Sequence, residues 1–204
     1  MLAMISLCVF LFVLGWGKFS LDQPWIYFVD YSLRLLLIGL ALKALPGMLR
    51  SLNLPRFNIW GMAFVACCLL LVFNGLYSGT ETVKAINGYF FETVSFPMPE
   101  SPWLLRFDFV GGLLLVALSE ELVFRGMFLS LAEKFKWSNV KLYVISSVVF
   151  GLIHLPQGLV NVFDGVLWGV LLMFFYQRSR SLWFVVVIHY LVDVWFFGLD
   201  WLWT

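Results

Sequence analysis

Charge is what this sequence has least of. Only 12% of its 204 residues are Asp, Glu, Lys or Arg, against about 25% in ordinary soluble domains. A soluble chain of this size must cover its surface with polar groups, and this one holds too few to do so. It is also poor in cysteine and histidine. The three cysteines, Cys8, Cys67 and Cys68, fall inside apolar stretches with neither a disulfide framework nor a metal-binding spacing, and act as small buried apolar groups. The net charge of +1 offers nothing to nucleic acid. No basic n-region precedes the first apolar stretch and no Ala-x-Ala-like site follows Trp16, so that stretch reads as a retained helix rather than a cleaved export signal.

What remains is apolar: 62% hydrophobic residues and a mean hydropathy of +0.95. The apolar residues come in blocks at 1–17, 25–45, 59–77, 102–131, 140–155, 159–177 and 182–201. Each approaches the roughly 20 residues that a helix needs to cross a bilayer. The expected fold is therefore all-α, a polytopic transmembrane bundle of about seven spans. The roughly 10-residue alternating segments of a membrane β-barrel are missing. Lys43, Arg50 and Arg56 follow the second block, Lys134, Lys136 and Lys141 the fourth, and Arg178 and Arg180 the sixth. The opposite loops hold Lys18 and Lys84 among the acids Glu81, Glu92 and Glu100. The positive-inside rule then sets the amino terminus in the cytoplasm and the carboxyl terminus outside, in the cytoplasmic membrane if the source is bacterial.

The chain divides unevenly. Residues 1–101 contain three plain spans and the longest loop, 78–101, whose Tyr89, Phe90, Phe91 and Phe96 suit the membrane interface. Residues 102–204 carry most of the intramembrane ionisable groups, within one integrated membrane domain. Such groups cost at least about 2.5–3.5 kcal/mol each at a span centre and mark functional sites by default.

Three clusters stand out. In the fourth span, Glu121 and Arg125 are four residues apart and share a helix face, where they can pair. Glu120 points about 100° away, which leaves it free to take a proton from water as a general base. A structural clamp between helices would explain Glu121 and Arg125, but it needs no second acid. The other clusters are Phe150-x-x-x-His154, closing the fifth span, and His189-x-x-x-Asp193, inside the seventh. One intramembrane histidine usually serves a helix–helix hydrogen bond. Two of them on separate helices, beside a Glu-Glu pair on a third, point to a shared site. Arg34 and Asp30 are four apart and pair locally, Arg106 and Asp108 can snorkel from a span end, and Asp164 has no assigned role. No Gly-x-Ser-x-Gly motif supplies a nucleophile, so the inventory suits attack by water on an amide carbonyl, with donors for the oxyanion.

Glu120-Glu121-x-x-x-Arg125, Phe150-x-x-x-His154 and His189-x-x-x-Asp193 together resemble the three ordered motifs of the CAAX protease and bacteriocin-processing superfamily, intramembrane endopeptidases related to the type II CAAX prenyl protease. The resemblance covers about residues 103–197. It implies that Glu120 activates water with His154, that Glu121 and Arg125 support the site, and that His189 and Asp193 form the oxyanion hole. The prenyl protease typically carries Asn where this chain has Asp193. An ionised Asp cannot donate to an oxyanion, so it must be protonated, orient His189 or bind something else. The resemblance also implies a membrane-associated peptide or protein substrate, met within membrane lipid, and no cofactor beyond the catalytic water. A zinc-dependent variant would use Glu120, His154 and His189 as ligands with one open position, although no His-Glu-x-x-His helix is present. Two other classes share this inventory. One is a non-catalytic immunity or scaffold protein of the same fold; the other is a proton-coupled transporter, whose usual internal repeats are missing here.

Overall fold

The computed structural model describes residues 2–46, 57–78, 82, 85–86 and 93–202; the side chains of 57, 74–78 and 198–202 lie outside the description. Among these residues the chain is helical, without strands. Seven helical segments follow the apolar blocks: α1 (Leu2–Leu14, continuing as a 3-10 turn, Gly15–Ser20), α2 (Trp25–Ala44), α3 (Phe57–Ser78), a long composite α4 (102–134), α5 (Asn139–Leu152), α6 (Leu159–Ser179) and α7 (Leu182–Leu202). Three stretches, Leu2–Ser20, Trp25–Ala44 and Leu159–Ser179, are long and apolar enough to cross a membrane by length and composition. The large apolar side chains of α3, among them Phe64, Leu69 and Val72, face outward. Polar side chains, by contrast, lie inside: Asp30, Ser119, Glu120, Glu121, Arg125 and His189 are all buried. Burying charge while exposing Phe and Leu is how a chain solvated by hydrocarbon packs. The protein is an integral membrane protein.

The middle of α4 forms the axis, with α2 and α7 packed against it. It is not a regular α-helix. Its turns widen to π geometry at Asp108–Gly112 and again at Leu122–Met127. A widened turn loosens the carbonyls of its ladder, and neighbouring helices answer both times. Tyr190 of α7 donates to Phe109 O at 3.0 Å, and Ser146 of α5 donates to Phe124 O at 2.7 Å. These hydroxyls fix the rotation of α4 at the two places where it departs from 3.6 residues per turn.

Helices α5 and α6 pack more closely than the rest because small residues line their seam. A Cβ built on Gly169 would lie 2.9 Å from Ser147 Cα, and one on Gly165 would lie 2.9 Å from Gly151 Cα. Small residues four apart allow backbones to approach within a bilayer, where van der Waals packing drives association. The reversal between the two helices is a 3-10 turn, Leu155–Gln157, ending at Gly158 with φ 117°, a conformation that side-chain-bearing residues rarely adopt. Overpacking a seam of this kind costs about 1–3 kcal/mol. Gly169→Leu is accordingly expected to lower the melting temperature in detergent, measured by intrinsic fluorescence, by several degrees; an unchanged transition would mean that the seam is looser than drawn.

Part of the segment after α3 packs against the start of α2. Tyr89, Phe90 and Phe91 lie outside the described residues, and Phe96 is half-buried. Its ring packs edge-on against Phe19 and Tyr27, at 6.1 and 5.0 Å, with the Lys18 ammonium 5.0 Å above it. The backbone at 93–99, outside any helix, is tied down by Tyr27 Oη on Pro97 O, by Gln23 Nε2 on Met98 O at 2.7 Å, and by Val94 N on Pro156 O at 2.9 Å. It runs from the start of α2 to the turn after His154.

Candidate active site

All three sequence clusters meet on one side of α4. Glu121 and Arg125, one helical turn apart, are fully buried, with Arg125 Nε 3.0 Å from Glu121 Oε2. The pair is close but poorly aligned, and neither nitrogen nor oxygen makes a hydrogen bond there among the described residues. The guanidinium lies instead over the Phe150 ring, 4.3 Å from its centroid. Glu121 uses its other oxygen, Oε1, to accept from His189 Nδ1 at 2.7 Å. His189 Nε2 then faces two further carboxylates, Asp193 Oδ2 at 3.5 Å and Glu120 Oε2 at 3.9 Å. One imidazole thus stands among three acids.

His154 arrives differently. It lies just past the end of α5, capping the 3-10 turn that leads into α6. Its Nδ1 is 3.0 Å from Phe150 O. A carbonyl only accepts, so Nδ1 carries the hydrogen and Nε2 of the neutral ring is left with a lone pair. A Cβ on Gly165 would stand 3.2 Å from Nδ1, so the missing side chain at 165 is what makes room for the ring. The Phe150 ring meets His154 edge-on at 5.2 Å and His189 at 6.1 Å. His154 and Glu120 lie within each other's electrostatic reach. A depth count along ideal helices would set His154 nearer a span end than His189. Leaving the helix at Leu152 and turning back through Pro156 brings it beside the same phenylalanine.

One expectation is corrected. Glu120 is not free. Its Oε1 accepts from Arg34 Nη1 at 3.0 Å, a contact from α2 that lies 86 positions away in sequence. Arg34 does pair with Asp30 as its spacing suggests, Nε to Oδ2 at 2.9 Å, but the guanidinium continues past it to Ser119 Oγ at 3.1 Å and to Glu120. Asp108 accepts from Tyr31 Oη at 2.7 Å. Arg34 is the site residue that sequence reasoning missed. The sequence carried no signal for it: that Asp30 also pairs with Lys18, so that one carboxylate serves two cations, is visible only in the structure.

No group of three or more His, Cys, Asp or Glu side chains among the described residues is arranged to hold a metal ion. Glu120 gives one oxygen to Arg34, and Glu121 is divided between Arg125 and His189.

With this geometry in view, the comparison with known families is informative. Residues 102–195, just under half of the chain, match the family described as type II CAAX prenyl endopeptidase Rce1-like. That segment is similar to the Rce1-like family. It runs from the start of α4 into α7 and contains Glu120, Glu121, Arg125, Phe150, His154, His189 and Asp193, whereas Lys18, Asp30 and Arg34 precede it. Neither the curated proteins nor the solved structures yield a match.

Proposed function

We propose that this protein is an intramembrane glutamate-type endopeptidase that hydrolyses a peptide bond of a membrane-associated or lipid-modified substrate. The observation that carries the reading is the facing of Glu120 Oε2 and His189 Nε2, 3.9 Å apart inside a lipid-embedded bundle, with the first oxygen of Glu120 held by Arg34. A single water can bond to groups separated by such a gap. Glu120 takes a proton from that water as its oxygen attacks the scissile carbonyl carbon, and the lone pair on His154 Nε2 helps to hold the water. The carbonyl electrons move to oxygen. The oxyanion needs donors aimed at it, and His189 supplies Nε2–H when both ring nitrogens are protonated. Collapse expels the amine, which receives the proton from Glu120, and the products are a carboxylate and a free amino group.

The surrounding charges support that state of His189. Asp30, Glu120, Glu121 and Asp193 are four acids against Lys18, Arg34 and Arg125, and a cationic His189 balances them. Glu121, on Nδ1, orients His189, and Asp193, 3.5 Å from Nε2, adds negative charge that favours the cationic ring. The amino terminus is assigned to the cytoplasm by the basic loops.

The test uses purified protein in lipid nanodiscs with a farnesylated peptide ending in Cys-aliphatic-aliphatic-X, alongside its unprenylated counterpart. Mass spectrometry is expected to show release of a short carboxyl-terminal fragment, and 1,10-phenanthroline is expected to change the rate less than twofold. Cleavage of neither peptide would count against the reading. Abolition by chelator with restoration by zinc would replace it with the metal-dependent form.

A further inference from the structure

The buried charges of α1 and α2 form a chain that ends on the proposed base. Lys18 pairs with Asp30 Oδ1, and Asp30 Oδ2 accepts from Arg34 Nε at 2.9 Å. Arg34 Nη1 then donates to Ser119 Oγ at 3.1 Å and Glu120 Oε1 at 3.0 Å. Every side chain in it is at most 12% exposed. Ser119 gives its own hydrogen to Val116 O at 3.0 Å, so its oxygen is left to accept from Arg34.

From this geometry we infer that Arg34 is a positioning residue for the reaction, set by Asp30 and Lys18, and that it lies outside the Rce1-like segment. The inference rests on the reading of Glu120 as the base. A carboxylate on a free side chain samples several rotamers, and both of its oxygens are equivalent. Arg34 removes that freedom by taking Oε1, which turns Oε2 toward His189. Guanidinium is suited to the task because its planar fork serves two acceptors at fixed angles, Asp30 through Nε and Glu120 through Nη1. An ammonium has no such plane. Asp30 in turn fixes the plane, and Lys18, packed over Phe96 and Phe19, fixes Asp30. Misplacing a reacting group by about 1 Å can cost about 100-fold in rate.

The test is a double-mutant cycle in full-length protein with the farnesylated peptide, in nanodiscs. Arg34→Gln is expected to lower kcat by about 10–100-fold with KM within twofold, and Arg34→Lys to recover part of that loss. Asp30→Asn is expected to fall between Arg34→Gln and the wild type. Because Arg34 acts through Glu120, adding Arg34→Gln to Glu120→Gln should lower the residual rate no further. A full additional loss in the double variant, or an effect confined to KM, would overturn the inference. A second cycle, read by thermal unfolding and using Glu120→Ala so that no acceptor remains for Arg34, requires no cleavage. Coupling between positions 34 and 120 above about threefold in the unfolding equilibrium constant supports the contact, and additivity within that limit overturns it. If the wild type cleaves neither peptide while the coupling is present, the proposed activity has failed and the Arg34–Glu120 contact stands.

Discussion

Glu120→Gln is expected to abolish peptide cleavage while the protein stays folded. The amide keeps the size of the side chain, and its carbonyl oxygen can still accept from Arg34, so the 3.0 Å contact has a replacement. What the amide cannot do is take a proton from water. General-base assistance is worth about 10²–10⁴-fold in rate, or about 3–5 kcal/mol of barrier, and kcat/KM should fall by that order. Turnover of the farnesylated peptide, measured beside the melting temperature, checks both halves of the expectation. A variant that melts like the wild type and cleaves at its rate would show that the base is another group. A non-catalytic immunity or scaffold protein would also be indifferent to this exchange in its biological assay.

The largest expected effect on stability belongs to Arg125. It and Glu121 are fully buried, and the guanidinium rests on Phe150. Removing one member of a buried ion pair leaves an uncompensated charge and costs about 3–5 kcal/mol, whereas replacing both by apolar groups of similar volume is often neutral. Arg125→Met should therefore lower the melting temperature in detergent by about 6–20 °C, using the scale for chains of this size. Glu121→Leu combined with Arg125→Met should return most of it. The same double variant should remain inactive, because Glu121 also accepts from His189 Nδ1 at 2.7 Å. Recovery of stability without recovery of activity separates the two tasks of Glu121. If the double variant is no more stable than Arg125→Met alone, the pair contributes less than its burial implies.

The fold was readable because hydrocarbon imposes a simple rule. Spans are apolar blocks of limited length, and the seven helical segments lie within a few residues of those blocks. The two widened turns in α4 were not readable. Gly111 and Gly112 hint at the first, but nothing at Leu122–Met127 announces π geometry, which depends on Ser146 of α5 meeting Phe124 O. Within the site, the Glu121–Arg125 pair and the proximity of His189 and Asp193 follow from a spacing of four residues. Phe150 was visible only as a letter in a motif. Its function as the ring that touches Arg125, His154 and His189 together emerges from packing across three helices. Arg34 was hidden for a different reason. Its local partner Asp30 accounts for it by spacing, and an arginine long enough to satisfy two acids shows only the nearer one in sequence. The amino-terminal spans, plain by composition, hold Lys18, Asp30 and Arg34, and these are what connect them to Glu120.

The account depends on a scissile carbonyl being able to approach the water held at Glu120 with its oxygen toward His189. The most direct measurement is an experimental structure of the full chain in a nanodisc with a non-cleavable analogue of the farnesylated peptide bound. The account predicts the carbonyl carbon facing Glu120 Oε2, the carbonyl oxygen within about 3 Å of His189 Nε2, and Arg34 still on Glu120 Oε1. A peptide seated on the outward apolar faces of the bundle, with Glu120 and His189 untouched by it, would contradict the assignment.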